Sequence, residues 1–132
     1  MKINKLKGFT LIELLIVMVI LGLLASLVAP QMFSKVESSR RGTAAAQMNM
    51  LSTSLDAYRL DMGRYPDSLE SLVSSSEGGW DGPYLPRDVP LDPWKHPYIY
   101  RFPGQVHDYD LMSYGADGKE GGEGENADIS YR

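Results

Sequence analysis

The sequence predicts an α+β fold: a long N-terminal helix followed by a small domain with a short helix, an irregular loop, a small antiparallel sheet and a glycine-rich acidic loop. Three observations carry this. Residues 9–29 form an apolar run whose only formal charge is Glu13. Ala44, Met48, Leu51, Leu55, Tyr58 and Met62 recur at alternating spacings of four and three, the signature of one face of a helix. The second half is dense in Gly and Pro and carries two short β-type runs, residues 98–102 and 109–113.

The chain has 132 residues, so beyond the apolar run it holds one domain of about a hundred residues. A core of that size gains from a staple. Cysteine is absent, which removes disulfides and leaves a metal or a neighbouring subunit. The net charge of -4 conceals a split: residues 1–41 carry six Lys or Arg against two Glu, whereas residues 42–132 carry seven basic and fifteen acidic side chains. No basic stripe is available to neutralise phosphates, so nucleic acid is not an expected partner. A cation suits the acidic part better.

The first element begins behind Lys2, Lys5 and Lys7. The twenty-one residues of this run at ~1.5 Å each reach ~31 Å, enough for one membrane crossing, and the lysines place the N-terminus in the cytoplasm. A secretory signal would have a shorter apolar core and a small-residue cleavage site, and Leu27-Val28-Ala29-Pro30 is a poor one. A plain signal anchor explains the hydropathy but not Glu13. A carboxylate in the centre of such a span costs about 2.5–3.5 kcal/mol and less near an end, so Glu13 either snorkels to the interface or has a partner.

The residues Lys7-Gly8-Phe9-Thr10-Leu11-Ile12-Glu13 resemble the start of type IV pilin-like proteins: a basic leader ending in Gly, then Phe, then Glu as fifth residue of the mature chain. Leader charge, spacing and apolar run occur together, which makes the match specific. The resemblance implies a type IV pilin-like fold, cleavage by a prepilin peptidase between Gly8 and Phe9, and N-methylation of Phe9. It also implies that Glu13 pairs with the N-terminal amine of a neighbouring subunit during assembly. The expected organisation is a leader at residues 1–8, a transmembrane and polymerisation helix at 9–30, and a periplasmic domain at 31–132.

If helical from residue 9 to 62, the first element is ~80 Å long, so its first half must pack on lipid or on other subunits. Gly22 and Pro30 interrupt its pattern. Pro30 lacks an N–H and should kink or loosen residues 26–30; a simple kink and a segment that stretches or unwinds during assembly are both open, and Pro30 is therefore an expected assembly residue. Gly63 is a natural stop.

Asp67 and Glu70 read as a helix-start pair, with Leu69, Leu72 and Val73 as the apolar face of a second helix of two or three turns. Residues 74–97 contain five prolines and read as an ordered irregular loop packed by Trp80, Tyr84 and Trp94. The two β-type runs follow, joined by a turn around Pro103 and Gly104. No internal repeat is visible.

Residues 115–128 hold five acids, five glycines and one Lys. Such composition fits a solvated tail, or a loop whose acids repel one another until a cation closes it. Oxygen ligands on a flexible loop suit calcium: Asp117, Glu125, Asn126 and Asp128 offer side-chain oxygens, and Leu111 and Tyr114 offer backbone carbonyls. The spacing is not that of an EF-hand, magnesium demands a tighter octahedron, and zinc would need Cys or His clusters.

Gly63-Arg64-Tyr65-Pro66, Asp92-Pro93-Trp94, Ser113-Tyr114-Gly115-Ala116-Asp117-Gly118 and Ala127-Asp128-Ile129 together resemble the major pseudopilin family of the type II secretion system, over nearly the whole chain. That resemblance implies a C-terminal loop closed by calcium where many pilins use a disulfide. Asp117 and Asp128 transfer most directly. Ala127 falls where some relatives place another acid, so Asn126 and Glu125 transfer less directly. It further implies a homopolymer in a short periplasmic filament that moves folded secreted proteins through an outer-membrane channel. The implied partners are minor pseudopilins, an inner-membrane assembly platform, the inner membrane and the prepilin peptidase. A type IV pilus or DNA-uptake subunit is the alternative, disfavoured by the Asp-Pro-Trp and loop signatures. A membrane-anchored hydrolase lacks a motif: the only histidines, His96 and His107, stand beside no nucleophile signature and read as packing or surface residues.

Overall fold

The computed structural model describes residues 8–131, in two compact units, one up to Val36 and one from Glu37 onward. The leader lysines Lys2, Lys5 and Lys7 lie outside the described residues. Helix α1 runs from Leu11 to Met62.

In the first unit, Thr10 starts α1. Its Oγ1 accepts the Glu13 N–H (3.2 Å) and its carbonyl accepts the Leu14 N–H (3.2 Å), so it serves as N-cap, and Glu13 lies in the first turn where the helix dipole favours an acid. α1 continues through Pro30, so the loosening expected at residues 26–30 does not interrupt the helix. Pro30 withholds a donor only from the Ser26 carbonyl, one hydrogen bond in a 52-residue helix. The Ser26 hydroxyl meanwhile donates to the Leu23 carbonyl (2.6 Å). Apart from half-buried Ala29, every described residue of this unit is exposed.

In the second unit the predicted stripe is buried: Ala44, Met48, Leu51, Leu55 and Tyr58 face a core completed by Tyr65, Leu69, Leu72, Leu85, Tyr98, Tyr109 and Leu111, with Met62 packed at its edge. Two serines on the same helix are also buried and each has a partner. Ser52 Oγ shares a hydrogen bond with Tyr109 Oη (2.8 Å), and Ser54 Oγ donates to the Tyr84 carbonyl (2.9 Å). The Gly63 N–H donates to the Arg59 carbonyl (2.8 Å) and closes the helix.

The second helix is shorter than expected, a single 3-10 turn at Leu69–Leu72. With three residues per turn, Leu69 and Leu72 point the same way, and both are buried. The Asp67–Glu70 start pair is not what begins it: Ser68 occupies the N-cap position without a side-chain cap, and Asp67 accepts from Arg64 (3.4 Å). The following loop is irregular, as expected. Trp80 Nε1 donates to the Ser71 carbonyl (2.7 Å) and Tyr84 Oη donates to Asp61 (2.7 Å).

Strands β1 (Ile99–Arg101) and β2 (Asp110–Ser113) pair antiparallel with Tyr100 opposite Leu111. Their connection is longer than a turn at Pro103 and Gly104; the Gly104 N–H donates to the Asp108 carbonyl (3.0 Å). A third strand, β3 (Ile129–Ser130), pairs with the other edge of β2, giving the order β1-β2-β3. The sheet lays aromatic rings on the core: Tyr65 and Tyr109 meet edge to face at 4.8 Å. Burial pushes the Tyr98 and Tyr100 phenols well above their usual range.

Candidate functional site

Gly8 and Phe9 precede α1, and Phe9 is 79% exposed. Glu13 is exposed, and among the described residues no ion pair engages it. The N-terminal positions therefore form a peptide, an apolar helix and one carboxylate, each open to an external partner.

The C-terminal loop is more constructed. It leaves β2 at Ser113 and returns at Ile129, and these two residues are register partners across β2 and β3. The Ala116 N–H donates to the Glu125 carbonyl (3.0 Å), and the Gly121 N–H donates to Asp128 Oδ2 (2.9 Å), so the two limbs are tied twice inside the loop. A Cβ on Gly115 would stand 2.8 Å from the Ala127 carbonyl oxygen and 3.0 Å from that of Glu125; Gly115 also has φ +75°, so this limb admits only glycine. From α1, Arg41 Nη1 donates to the Gly124 and Ala127 carbonyls, both at 3.3 Å. The chain is thus drawn around carbonyl oxygens, with a short 3-10 turn at Gly124–Asn126.

The six predicted ligands fall into distinct places. Asp117 is exposed, and its Oδ1 accepts the Lys119 N–H (3.1 Å). Asp128 Oδ1 is buried with no hydrogen-bond partner, while its Oδ2 is engaged by Gly121. Glu125 and Asn126 have exposed side chains, and both contribute backbone carbonyls that crowd glycines of the facing limb. The Leu111 carbonyl accepts the Tyr131 N–H (2.9 Å) and so serves the sheet. Tyr114 accepts at its hydroxyl from Arg101 (3.0 Å). Among the described residues, no three His, Cys, Asp or Glu side chains gather closely enough to hold a metal. The loop's fit to a hard cation therefore rests on mixed donors, two carboxylates and several carbonyls. Its sharpest sign is Asp128 Oδ1, a dehydrated carboxylate oxygen without a donor, an arrangement that costs free energy until a cation meets it.

Sequence reading missed two groups that hold this loop. Arg41 is one; an Arg on a helix carries no signal for a contact more than eighty residues away. The other is Asp92, 3% exposed, whose Oδ1 accepts the Trp94 (3.0 Å) and His96 (2.8 Å) N–H groups and whose Oδ2 accepts the Ser113 hydroxyl (2.8 Å). The Asp-Pro-Trp run marked the position but not this contact. The His96 ring lies against Gly118, where a Cβ would come within 3.0 Å of it, and His107 is exposed.

Comparison with known proteins adds the following. Residues 31–132 match the family model described as type II secretion system protein G, and residues 3–29 match that of the prokaryotic N-terminal methylation motif. A type II secretion system core protein G from Pseudomonas aeruginosa is 42% identical over 130 residues, 92% of this chain and 92% of that protein. One from Vibrio cholerae is 40% identical over 136 residues, 97% of this chain and 92% of that one. The crystal structure of the major pseudopilin from the type 2 secretion system of enterohaemorrhagic Escherichia coli superposes with a TM-score of 0.60 at 33% identity, over 74% of this chain and 90% of that one.

Proposed function

The chain belongs to the type II secretion system protein G family, and from that premise we propose how its residues serve a filament. It is a pseudopilus subunit, anchored by an apolar N-terminal helix and carrying a prokaryotic N-terminal methylation motif. The observation that carries the reading is the pair of matches, 3–29 and 31–132, of which the first reaches into the largely exposed start of α1 and the second covers the folded unit.

The proposed sequence of events starts with prepilin peptidase, which cuts between Gly8 and Phe9 and methylates Phe9. Residues 9–30 hold the subunit in the inner membrane, with the lysines on the cytoplasmic side and the domain in the periplasm. On polymerisation, with minor pseudopilins and an inner-membrane platform as partners, these apolar helices leave lipid for one another. Glu13, which has no ion pair in its own chain among the described residues, then takes the N-terminal amine of a neighbour. The filament moves folded secreted proteins towards the outer-membrane channel. The role is mechanical and requires no catalytic step.

The C-terminal loop takes calcium in this reading. Asp117 and Asp128 hold the ion, helped by carbonyls of the 124–127 arch and by Tyr114, Leu111, Asn126 or Glu125 as geometry allows. What supports it is the unpaired Asp128 Oδ1 in a carbonyl-lined, glycine-bent loop of a chain without cysteine.

Two measurements test the proposal. Coexpression with a prepilin peptidase should shorten the chain to a methylated N-terminal Phe9, and replacement of Gly8 should block it; an unchanged mass in the wild type removes the processing step. Thermal unfolding of the full chain in detergent, in EDTA and with calcium, should show a calcium-selective rise, about 2.7 kcal/mol at an ion concentration of 100 Kd. Equal curves in both would return the loop to a metal-free structure.

A further inference from the structure

We propose that Asp92 is the positioning residue of the C-terminal loop, acting through the Ser113 hydroxyl on the Gly115 N–H, and that this relay sets the loop's affinity for calcium. The second half rests on the calcium reading above.

Asp92 belongs to a segment of its own, residues 92–96, closed by the Asp92 N–H donating to the His96 carbonyl (2.8 Å) and the Lys95 N–H donating to the Asp92 carbonyl (2.8 Å). One carboxylate oxygen finishes that turn by accepting the Trp94 and His96 amides. The turn needs nothing from the other oxygen, which instead accepts from Ser113 at the end of β2.

The direction of the relay follows from the donors available. A carboxylate only accepts, so the single proton of the Ser113 hydroxyl must point at Asp92. The lone pairs of Ser113 Oγ are then free for the Gly115 N–H, 3.2 Å away. Ser113 is fully buried, so water does not compete for either bond. A hydroxyl polarised by a buried anion is a stronger acceptor, which reinforces the hold on Gly115.

Gly115 is where the hold matters. A Cβ there would collide with the Ala127 and Glu125 carbonyl oxygens, and the next residue's N–H donates to the Glu125 carbonyl. A shift of Gly115 therefore shifts the arch of carbonyls and, two residues on, Asp117. The same 92–96 segment makes a second contact with the loop through the His96 ring on Gly118. Outer groups that orient a cation's donors commonly change affinity by about ten- to a hundred-fold when removed.

The test uses the full chain in detergent. Ser113→Ala deletes the relay and leaves Asp92 its two amide partners. We expect calcium affinity, by titration calorimetry, to fall about ten-fold or more. In EDTA, amide hydrogen exchange should accelerate across residues 114–128 while residues 51–58 keep their rate. Tyr109→Phe, which deletes the Ser52–Tyr109 bond elsewhere, should lower the melting temperature without moving calcium affinity. Adding Asp92→Asn, whose amide oxygen still accepts the Trp94 and His96 N–H groups and so keeps the His96 contact, to Ser113→Ala should weaken calcium binding no further, because the altered oxygen then faces no hydroxyl.

If Ser113→Ala fails to fold, Ser113→Cys, nearly isosteric and a poor hydrogen bonder, is read by the same criteria. Wild-type calcium affinity in the Ser113 variant, additive losses in the double variant, or exchange that accelerates uniformly would each overturn the relay. If the wild type itself binds no calcium, the calcium reading falls. The exchange pattern in EDTA then decides the positioning role alone: acceleration confined to the loop keeps it, and uniform or absent acceleration ends it.

Discussion

Asp117 and Asp128 are the same residue type in one loop, yet they should answer mutation differently. Asp128 Oδ2 holds the Gly121 N–H while Oδ1 is buried without a donor, so in EDTA Asp128→Ala loses one bond and sheds one desolvation cost: the Gly121 amide should exchange faster, and the calcium-dependent rise in melting temperature should vanish. Asp117 is exposed, so Asp117→Ala should stay within about 0.5 kcal/mol of wild type in EDTA and lose only the calcium increment. Amide exchange at Gly121 and melts of both variants with and without calcium check this, and equal Gly121 exchange in EDTA would contradict the geometry. The phenols give a pH prediction. Tyr98 and Tyr100 have folded pKa values raised by burial, so the folded state keeps protons that the unfolded state releases at its ordinary pKa of about 10. Their contribution is whole below that pH and is lost as pH rises from it towards the folded values, so denaturant midpoints should fall between about pH 10 and 11.5. Tyr98→Phe with Tyr100→Phe should flatten that fall.

The elements repeat this dependence on surroundings. On α1, Leu55 is fully buried and Leu60, little more than a turn later, is 87% exposed. Leu55→Ala should therefore cost about 2–5 kcal/mol and Leu60→Ala no more than about 0.5, read from chemical unfolding. That contrast was legible in the sequence, because a long helix repeats its period often enough for the buried face to stand out. The two β-type runs were legible for the same reason on a smaller scale. The 3-10 turn at Leu69–Leu72 was read as a longer helix because Leu69, Leu72 and Val73 suit both periods, and only the space left by the core selects three residues per turn. Strand β3 was missed: two residues show no alternation, and Ile129–Ser130 is a strand only because β2 has a free edge beside it. The loop's acids and glycines were legible as composition. Its clamps were not, since Asp92–Ser113 and Arg41–Ala127 join residues whose separation carries no periodic trace.

At the scale of the whole molecule, the chain divides its chemistry. The unit up to Val36 exposes apolar side chains throughout, and the unit from Glu37 onward buries its own core. Loss of function can therefore arise in either unit without unfolding the other, and Glu13 separates the cases. It lies in the first turn of α1, where its backbone N–H is capped by Thr10 whatever its side chain. Glu13→Ala should leave the helix start, the melting curve of the folded unit and cleavage at Gly8 unchanged. On the proposed pairing, the same substitution in a filament strands a neighbour's amine among apolar helices, and a buried charge that loses its partner costs about 3–5 kcal/mol. Spent once per subunit, that penalty lowers the constant for each subunit addition by about two to three and a half orders of magnitude, since ~1.4 kcal/mol is tenfold. Filament yield should fall below detection while membrane-held monomer accumulates in processed form. Glu13→Gln discriminates further: it keeps size and hydrogen bonding but not charge, so an amine partner predicts a loss close to that of Ala, whereas a merely polar partner predicts near-normal filaments. Sedimentation of sheared filaments against total processed subunit measures the difference, and wild-type yield in both variants would leave the carboxylate as no more than a helix-start residue.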